Sequence, residues 1–136
     1  MEERKQYVRL GTEDLWLAGF VNNNGGGDFN FIWSDGKRTE EKSQKPMQDY
    51  MMPETIKQTR RVEIYHVNNK SDSSLVVGFK FFVANETLIF EKGMTSGERK
   101  IVSVTIGEDE QIIGVKYKSS GDCNINDLQF MVCKRI

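Results

Sequence analysis

The fold is best approached from Gln111-Ile112-Ile113-Gly114-Val115-Lys116-Tyr117, because the pattern within it occurs three times in the chain. Two apolar residues, a glycine and a third apolar residue recur as Leu17-Ala18-Gly19-Phe20 and as Val76-Val77-Gly78-Phe79. Self-similarity of this kind indicates a fold built from related units. We therefore predict three copies of one antiparallel β unit of four strands, at residues 7–36, 60–93 and 99–134, so that the apolar runs at residues 7–10 and 101–106 belong to the first and third units.

The residues that follow the first two copies support the repeat. Phe29 and Phe31 lie ten and twelve residues after the glycine of the first copy, and Leu88 and Phe90 lie at the same offsets in the second. Such alternation of apolar and other residues is typical of a half-buried strand. The third copy has a longer loop and is followed by a similar alternation over residues 128–132.

Glycine inside a strand weakens it unless another backbone passes close by or a bulge is needed. Three sheets that meet around an axis would supply such a reason, since like positions then pack closely together. We predict an all-β fold, a β-prism of three antiparallel Greek-key-like sheets with pseudo-threefold symmetry. A β-trefoil and a β-sandwich are the alternatives.

Length and composition predict a single domain over residues 1–136. The chain has 12 glycines and 2 prolines, which suits many short strands joined by tight turns. Residues 37–58 are polar, and we predict a surface excursion between the first and second units, part of which could add an edge strand. Within it, Met47, Tyr50, Met51 and Met52 are expected to cover the edge of the core.

The charge balance argues against nucleic-acid and membrane partners. The 19 basic and 20 acidic residues leave a net charge of −1, so no long-range field attracts polyanions. Local basic clusters, Lys57 with Arg60 and Arg61 among them, are interpreted as solvated surface. No apolar run approaches the ~20 residues of a membrane span.

The N-terminus and the cysteines predict a cytoplasmic location. Residues 1–6 are polar, which predicts no signal peptide. If residues 125–133 form an extended strand, Cys123 and Cys133 lie about 25–30 Å apart and cannot pair.

The C-terminal half resembles a known family. Gln111-Ile112-Ile113-Gly114-Val115-Lys116, a small polar loop with Gly121, and Asp127-Leu128-Gln129-Phe130-Met131-Val132 together resemble the closing hairpin of jacalin-type lectins. Residues 101–106, with the acidic turn that follows them, resemble a strand and turn that recur in that family. The resemblance covers residues 60–134 best. It implies a β-prism, carbohydrate binding at one apex, and homo-oligomers in many members.

The chain departs from the family pattern at the sugar loop. There the family has a glycine, three residues and an aspartate, whereas Gly121 and Asp127 are separated by five residues. The glycine-rich segment expected at the very N-terminus is absent, and Gly25-Gly26-Gly27-Asp28 forms a different loop.

Two loops carry the polar groups that a sugar site needs, residues 22–28 and residues 119–127. Small ligands are held by a few polar groups that converge in a concave setting. Ordinary hairpin loops have the same composition, which is the alternative interpretation. The candidate ligand-binding residues are Asn23, Asn24, Gly26, Gly27, Asp28, Gly121, Asp122, Asn124, Asn126 and Asp127.

The sequence offers little support for catalysis. His66 is the only histidine, and neither cysteine lies in a predicted setting that would lower the pKa of its thiol. Trp16 and Trp33 fall on apolar strands and are expected to pack at the core. Neither an EF-hand ligand spacing nor a phosphate loop is present. We therefore predict no enzyme, no metal and no cofactor.

The function predicted from these observations is carbohydrate binding through the two apical loops, with a mono- or oligosaccharide as partner. The alternative is a protein-interaction or scaffold subunit that keeps the prism and has lost the sugar site. The altered loop spacing and the excursion at residues 37–58 favour that alternative.

Overall fold

The structure is a computed structural model that describes residues 5–11, 15–22, 29–39, 46–68, 74–97, 99–119 and 125–135. Two short 3-10 helices, Glu54–Gln58 and Ala84–Glu86, are the helical segments of these ranges. All other regular structure in them is strand. The strands are β1 (Lys5–Gly11), β2 (Leu17–Asn22), β3 (Phe29–Trp33), β4 (Gln48–Met51), β5 (Arg61–Asn68), β6 (Ser74–Val83), β7 (Thr87–Gly93), β8 (Lys100–Thr105), β9 (Glu110–Ser119) and β10 (Ile125–Arg135).

These strands form three sheets, which confirms the prediction of an all-β prism. The strand orders are β3-β2-β4, β7-β6-β5-β8 and β1-β10-β9. Neighbouring strands are antiparallel with one exception, since β1 runs parallel to β10. Two sheets therefore have three strands and one has four, rather than four strands in each.

Two strands belong to sheets other than the ones predicted. The first apolar run was assigned to the first unit, but β1 pairs with β10 near the other end of the chain. The run at residues 101–106 was assigned to the third unit, but β8 pairs with β5. Alternation identifies a strand from its own residues, whereas its partner depends on contacts far away in sequence.

The three repeated glycines share one local feature, because each follows a bulged residue. The pairing ladder skips Ala18, Val77 and Ile113, which immediately precede the three glycines. Beyond two of these bulges, Met52 N–H donates to the Ala18 carbonyl at 2.8 Å and Met94 N–H donates to the Val77 carbonyl at 2.7 Å. The glycine pattern therefore marks a β-bulge in each sheet.

The glycine-bearing strand of the four-stranded sheet nevertheless runs in the opposite direction to its counterparts in the other two sheets. Leu17 at the start of β2, Ile112 near the start of β9 and Phe81 near the end of β6 line one small cavity. Strand β6 therefore runs opposite to β2 and β9. The glycine pattern therefore marks the bulge but does not predict the direction in which its strand runs.

All three sheets contribute aromatic side chains to the core. Phe20 of β2 stacks on Phe79 of β6 with ring centroids 4.9 Å apart. Phe81 meets Phe130 of β10 edge-on at 6.4 Å. These four rings are fully buried, and such aromatic pairs add to the hydrophobic gain from burial. The core therefore holds the three sheets together along the axis of the prism.

Residues 46–58 do more than cover the surface. Strand β4 pairs with β2 and forms the edge of its sheet. Met52 then joins the core at 9% exposure, as expected, whereas Met51 is 59% exposed and does not cover the core. Met51 pairs with Gly19, and its Sδ lies beside that glycine on the outside of the sheet.

Candidate functional site

Three antiparallel strand pairs, β2–β3, β5–β6 and β9–β10, are connected at the same end of the prism, which we call the hairpin end. Strands β2 and β9 start at the opposite end, as does β5, because Thr59 just before β5 lines the same small cavity as Leu17 and Ile112. The strand ends at Asn22, Asn68 and Ser119 therefore lie at the hairpin end. The two loops predicted to bind sugar connect strands there.

Most of the predicted site residues fall between those strand ends. Eight of them lie outside the described residues: Asn23, Asn24, Gly26, Gly27, Asp28, Gly121, Asp122 and Asn124. The structure describes the remaining two, Asn126 and Asp127, on β10 rather than in a loop.

Asn126 and Asp127 occupy an irregular start of β10. The pairing skips Asn126, which is bulged opposite the pairs Ile125–Ser119 and Asp127–Lys118. One carboxylate oxygen of Asp127, Oδ1, accepts a hydrogen bond from Leu128 N–H at 3.0 Å. Both side chains are half-buried. The local backbone therefore orients the Asp127 carboxylate at the hairpin end.

Tyr117, which precedes the second candidate loop, lies against the core. Its ring centroid lies 6.0 Å from that of Phe31, and it is half-buried against the hydrophobic cluster. Trp16 and Trp33 pack against the same cluster, as predicted. These three aromatic side chains thus contribute to packing between sheets.

The opposite end of the prism is closed by charged and polar groups. Lys5 Nζ lies 3.0 Å from Glu110 Oε1 and donates to the Thr105 carbonyl at 2.8 Å. Glu110 also accepts a hydrogen bond from Gly107 N–H at 2.6 Å, and its side chain is 4% exposed. A cavity of about 10 Å³ lies beside it, which is about the volume that one buried water needs. This cluster ties β1 to the β8–β9 turn.

Next to it lies an open groove of about 370 Å³ lined by polar and charged residues. The sequence interpretation missed it, because Lys57 and Arg60 were taken as solvated surface. Lys57 Nζ lies 4.3 Å from the centroid of the Trp16 ring. Since 41 positions separate these two residues, no local pattern signals their contact; the basic cluster itself was the available signal. The lining residues are Glu54, Thr55, Lys57, Gln58, Arg60 and Glu108.

The outer face of the four-stranded sheet carries a compact charged network. Arg61 contacts Glu63 at 2.5 Å and Glu86 at 2.8 Å, and hydrogen bonds to Glu86 and then Glu63 raise its pKa. Burial, followed by the hydrogen bond to Glu63, raises the pKa of Tyr65 to about 12. Burial also acts to raise the pKa of Glu63, but the hydrogen bonds from Arg61 and Tyr65 outweigh it and hold that pKa below its ordinary value. The charged and hydroxyl groups of this network therefore satisfy one another's hydrogen bonds and stabilise the sheet.

Arg38 and Asp49 form a second, exposed ion pair. The guanidinium donates to both carboxylate oxygens, at 2.9 and 2.7 Å. This hydrogen bonding lowers the pKa of Asp49 and raises that of Arg38. Exposed pairs contribute little to stability, so its role is to join the segment after β3 to β4.

Within the described residues, the cysteine and the histidine that were weighed for catalysis are both buried. Cys133 is buried at 1% exposure and forms no disulfide within the described ranges, and His66 is buried in β5. Cys123 lies outside the described residues. Across the part of the chain that the structure describes, no three His, Cys, Asp or Glu side chains could hold a metal ion. None of its helical segments has the length and apolar character needed to span a bilayer.

Comparison with known proteins finds proteins of similar fold and none of similar sequence. No family model and no curated protein sequence matches the chain. Among solved structures, artocarpin complexed with methyl-α-mannose, a jacalin-related lectin, has a TM-score of 0.55 and 13% identity. The match covers 87% of this chain and 83% of that one.

A second similar structure is the V. cholerae biofilm matrix protein Bap1. Its TM-score is 0.53 at 15% identity, and the match covers 90% of this chain. The chain corresponds to 21% of the length of that matrix protein. At these identities the likeness is one of fold alone. The chain thus has a jacalin-like, lectin-type β-prism fold.

Proposed function

We propose that the chain is a non-enzymatic carbohydrate-binding module whose site lies at the hairpin end. The observation that carries this proposal is that the strand ends bounding residues 23–28 and residues 120–124 lie at one end of a lectin-type prism. Loops placed together on a rigid scaffold are where binding residues are usually found. The ligand is a mono- or oligosaccharide.

Binding there is by hydrogen bonds from fixed polar groups. The Asp127 carboxylate, oriented by Leu128 N–H, accepts hydrogen bonds from sugar hydroxyls, and such bonds to a charged acceptor are stronger than neutral ones. Asn126 contributes from the neighbouring bulge. Asp28 is assigned the matching role in the other loop. The remaining members of the proposed site are Asn23, Asn24, Gly26, Gly27, Gly121, Asp122 and Asn124.

A glycan array that includes simple mannosides and galactosides tests the proposal. We expect the wild-type chain to bind a restricted set of glycans, and Asp127→Ala and Asp28→Ala to reduce that signal at least tenfold. Asp109→Ala is the matched control, because Asp109 is an exposed carboxylate in the turn at the opposite end. Uniformly flat binding, with both variants equal to wild type, contradicts the proposal and favours a protein-interaction module on the same fold.

A further inference from the structure

We propose that the groove at the end opposite the hairpins is a second binding site, whose ligand is a sugar acid: a pyranose that carries a carboxylate. Its volume of about 370 Å³ falls within the range of small-ligand pockets. It shares no residue with the hairpin end. The inference therefore stands independently of the carbohydrate site proposed there.

The floor of the groove is a rigid element. The 3-10 helix Glu54–Gln58 is anchored by Ile56, which is 6% exposed and belongs to the core. Thr59 ends this helix while buried, and its hydroxyl donates to the Ile56 carbonyl at 2.6 Å. The polar side chains of the groove thus project from a backbone that the core holds in place. Preorganisation of this kind reduces the entropy lost when a ligand binds.

Two cations of the groove are held by their own neighbours. Arg60 Nη1 donates to the carbonyls of Gln58 and Thr59, at 3.2 Å each. The Lys57 ammonium lies over the Trp16 ring at 4.3 Å, where the ring quadrupole attracts it, and 3.9 Å from Glu54 Oε1, at the edge of ion-pairing range. Both residues line the groove, and a guanidinium and an ammonium can together bind a single carboxylate.

Two carboxylates determine what kind of anion fits. Glu54 lies on the helix and Glu108 in the facing β8–β9 turn, and both are exposed at the groove. Together with Lys57 and Arg60 they leave the groove without surplus positive charge, so it lacks the additional cations that a polyphosphate or a nucleic acid needs, whereas a single carboxylate needs only Lys57 and Arg60. Carboxylates accept hydrogen bonds from hydroxyl groups, as does the Gln58 amide oxygen. A ligand with one carboxylate and several hydroxyls satisfies both sets of groups.

Calorimetric titration of the chain with glucuronate and, separately, with glucose tests this inference. The two sugars differ by the carboxylate that Lys57 and Arg60 are proposed to bind. We expect glucuronate to bind at least tenfold more tightly than glucose, and the difference to shrink as salt screens the exposed charges. Amide resonances of residues 54–60 and 108 should shift on addition of glucuronate.

Variants locate the binding. Arg60→Gln and Lys57→Met should each weaken glucuronate binding at least tenfold. Lys57→Met keeps the packing of the side chain on Trp16 and removes the charge, so it remains informative if Arg60→Gln disturbs the helix. Lys100→Gln, an exposed lysine at the start of β8, should leave binding unchanged.

The outcomes for the two ends of the prism are separable. Asp127→Ala should leave glucuronate binding intact whether or not the hairpin end binds sugars. Equal binding of glucuronate and glucose, or no shift at residues 54–60, would overturn the sugar-acid site. So would tighter binding of inorganic phosphate than of glucuronate.

Discussion

Replacing Gly78 by alanine adds one methyl group where the backbone of the segment after β7 passes close to β6. A Cβ at this position would lie 2.8 Å from the Met94 carbonyl oxygen and 2.9 Å from Thr95 Cγ2. The Met94 backbone cannot retreat easily, because its N–H donates to the Val77 carbonyl at 2.7 Å. The added methyl group must therefore break that contact or displace the segment after β7.

The three bulge glycines provide an internal comparison of magnitude. A Cβ at Gly19 would meet the Tyr50 carbonyl oxygen at 2.7 Å, whereas at Gly114 the nearest atom is Met131 Sδ at 3.4 Å, the end of a flexible side chain. Overpacking of this kind costs about 1–3 kcal/mol, and the entropy of the unfolded chain returns about 0.4–1 kcal/mol for Gly→Ala. We expect Gly78→Ala and Gly19→Ala to lose about 2 kcal/mol each, and Gly114→Ala to gain about 0.5 kcal/mol.

Urea unfolding of the three variants measures these differences. The midpoint should fall for the Gly78 and Gly19 variants and rise slightly for the Gly114 variant, with unchanged dependence on urea in all three. Equal losses at Gly78 and Gly114 would show that backbone contact does not set the cost, because only one of these sites has a backbone in close contact. A harmless Gly78→Ala would refute the placement of Met94.

Three further predictions concern stability. The pKa of Tyr65 is raised to about 12, so the contribution of its neutral phenol to the free energy of unfolding is complete below the unfolded pKa near 10 and is lost as the pH rises from about 10 to 12. Tyr65→Phe should therefore remove up to about 3 kcal/mol from the difference between the free energies of unfolding measured in urea at pH 9 and at pH 12. Phe20→Ala should cost about 3–5 kcal/mol in the same assay and Met51→Ala less than ~0.5 kcal/mol, since only the first is buried; similar losses would contradict the assignment of the core. Glu110→Ala should cost about 2–3 kcal/mol because it leaves Lys5 without its partner carboxylate, and a neutral result would contradict the closed end.

The strands could be predicted because their signal is local. Alternation over residues 62–66 and 75–83 needs only the residues themselves, and the glycine repeat marked positions where the structure has bulges. Strand partners could not be predicted in the same way. Lys5 pairs with Phe130 in a parallel ladder, and no turn between these residues signals their pairing, in contrast to a hairpin.

The candidate sites show the same difference between local and long-range information. Asp127 was identified from a motif, and its place at the start of β10 beside a bulge depends on how β9 and β10 pair. The opposite groove was missed because its parts, the helix at residues 54–58 and the turn carrying Glu108, are distant in sequence and come together only in the folded chain. A basic cluster in sequence does not reveal that Glu108, from a distant turn, lines the same groove.

The most direct test of the account is an NMR titration of the isotope-labelled chain with neutral monosaccharides, methyl-α-mannoside among them. We expect saturable shifts confined to the hairpin end, centred on Asn126, Asp127 and the loops bounded by β2–β3 and β9–β10. Shifts that occur only elsewhere, or a spectrum that no sugar of the panel changes, would contradict it.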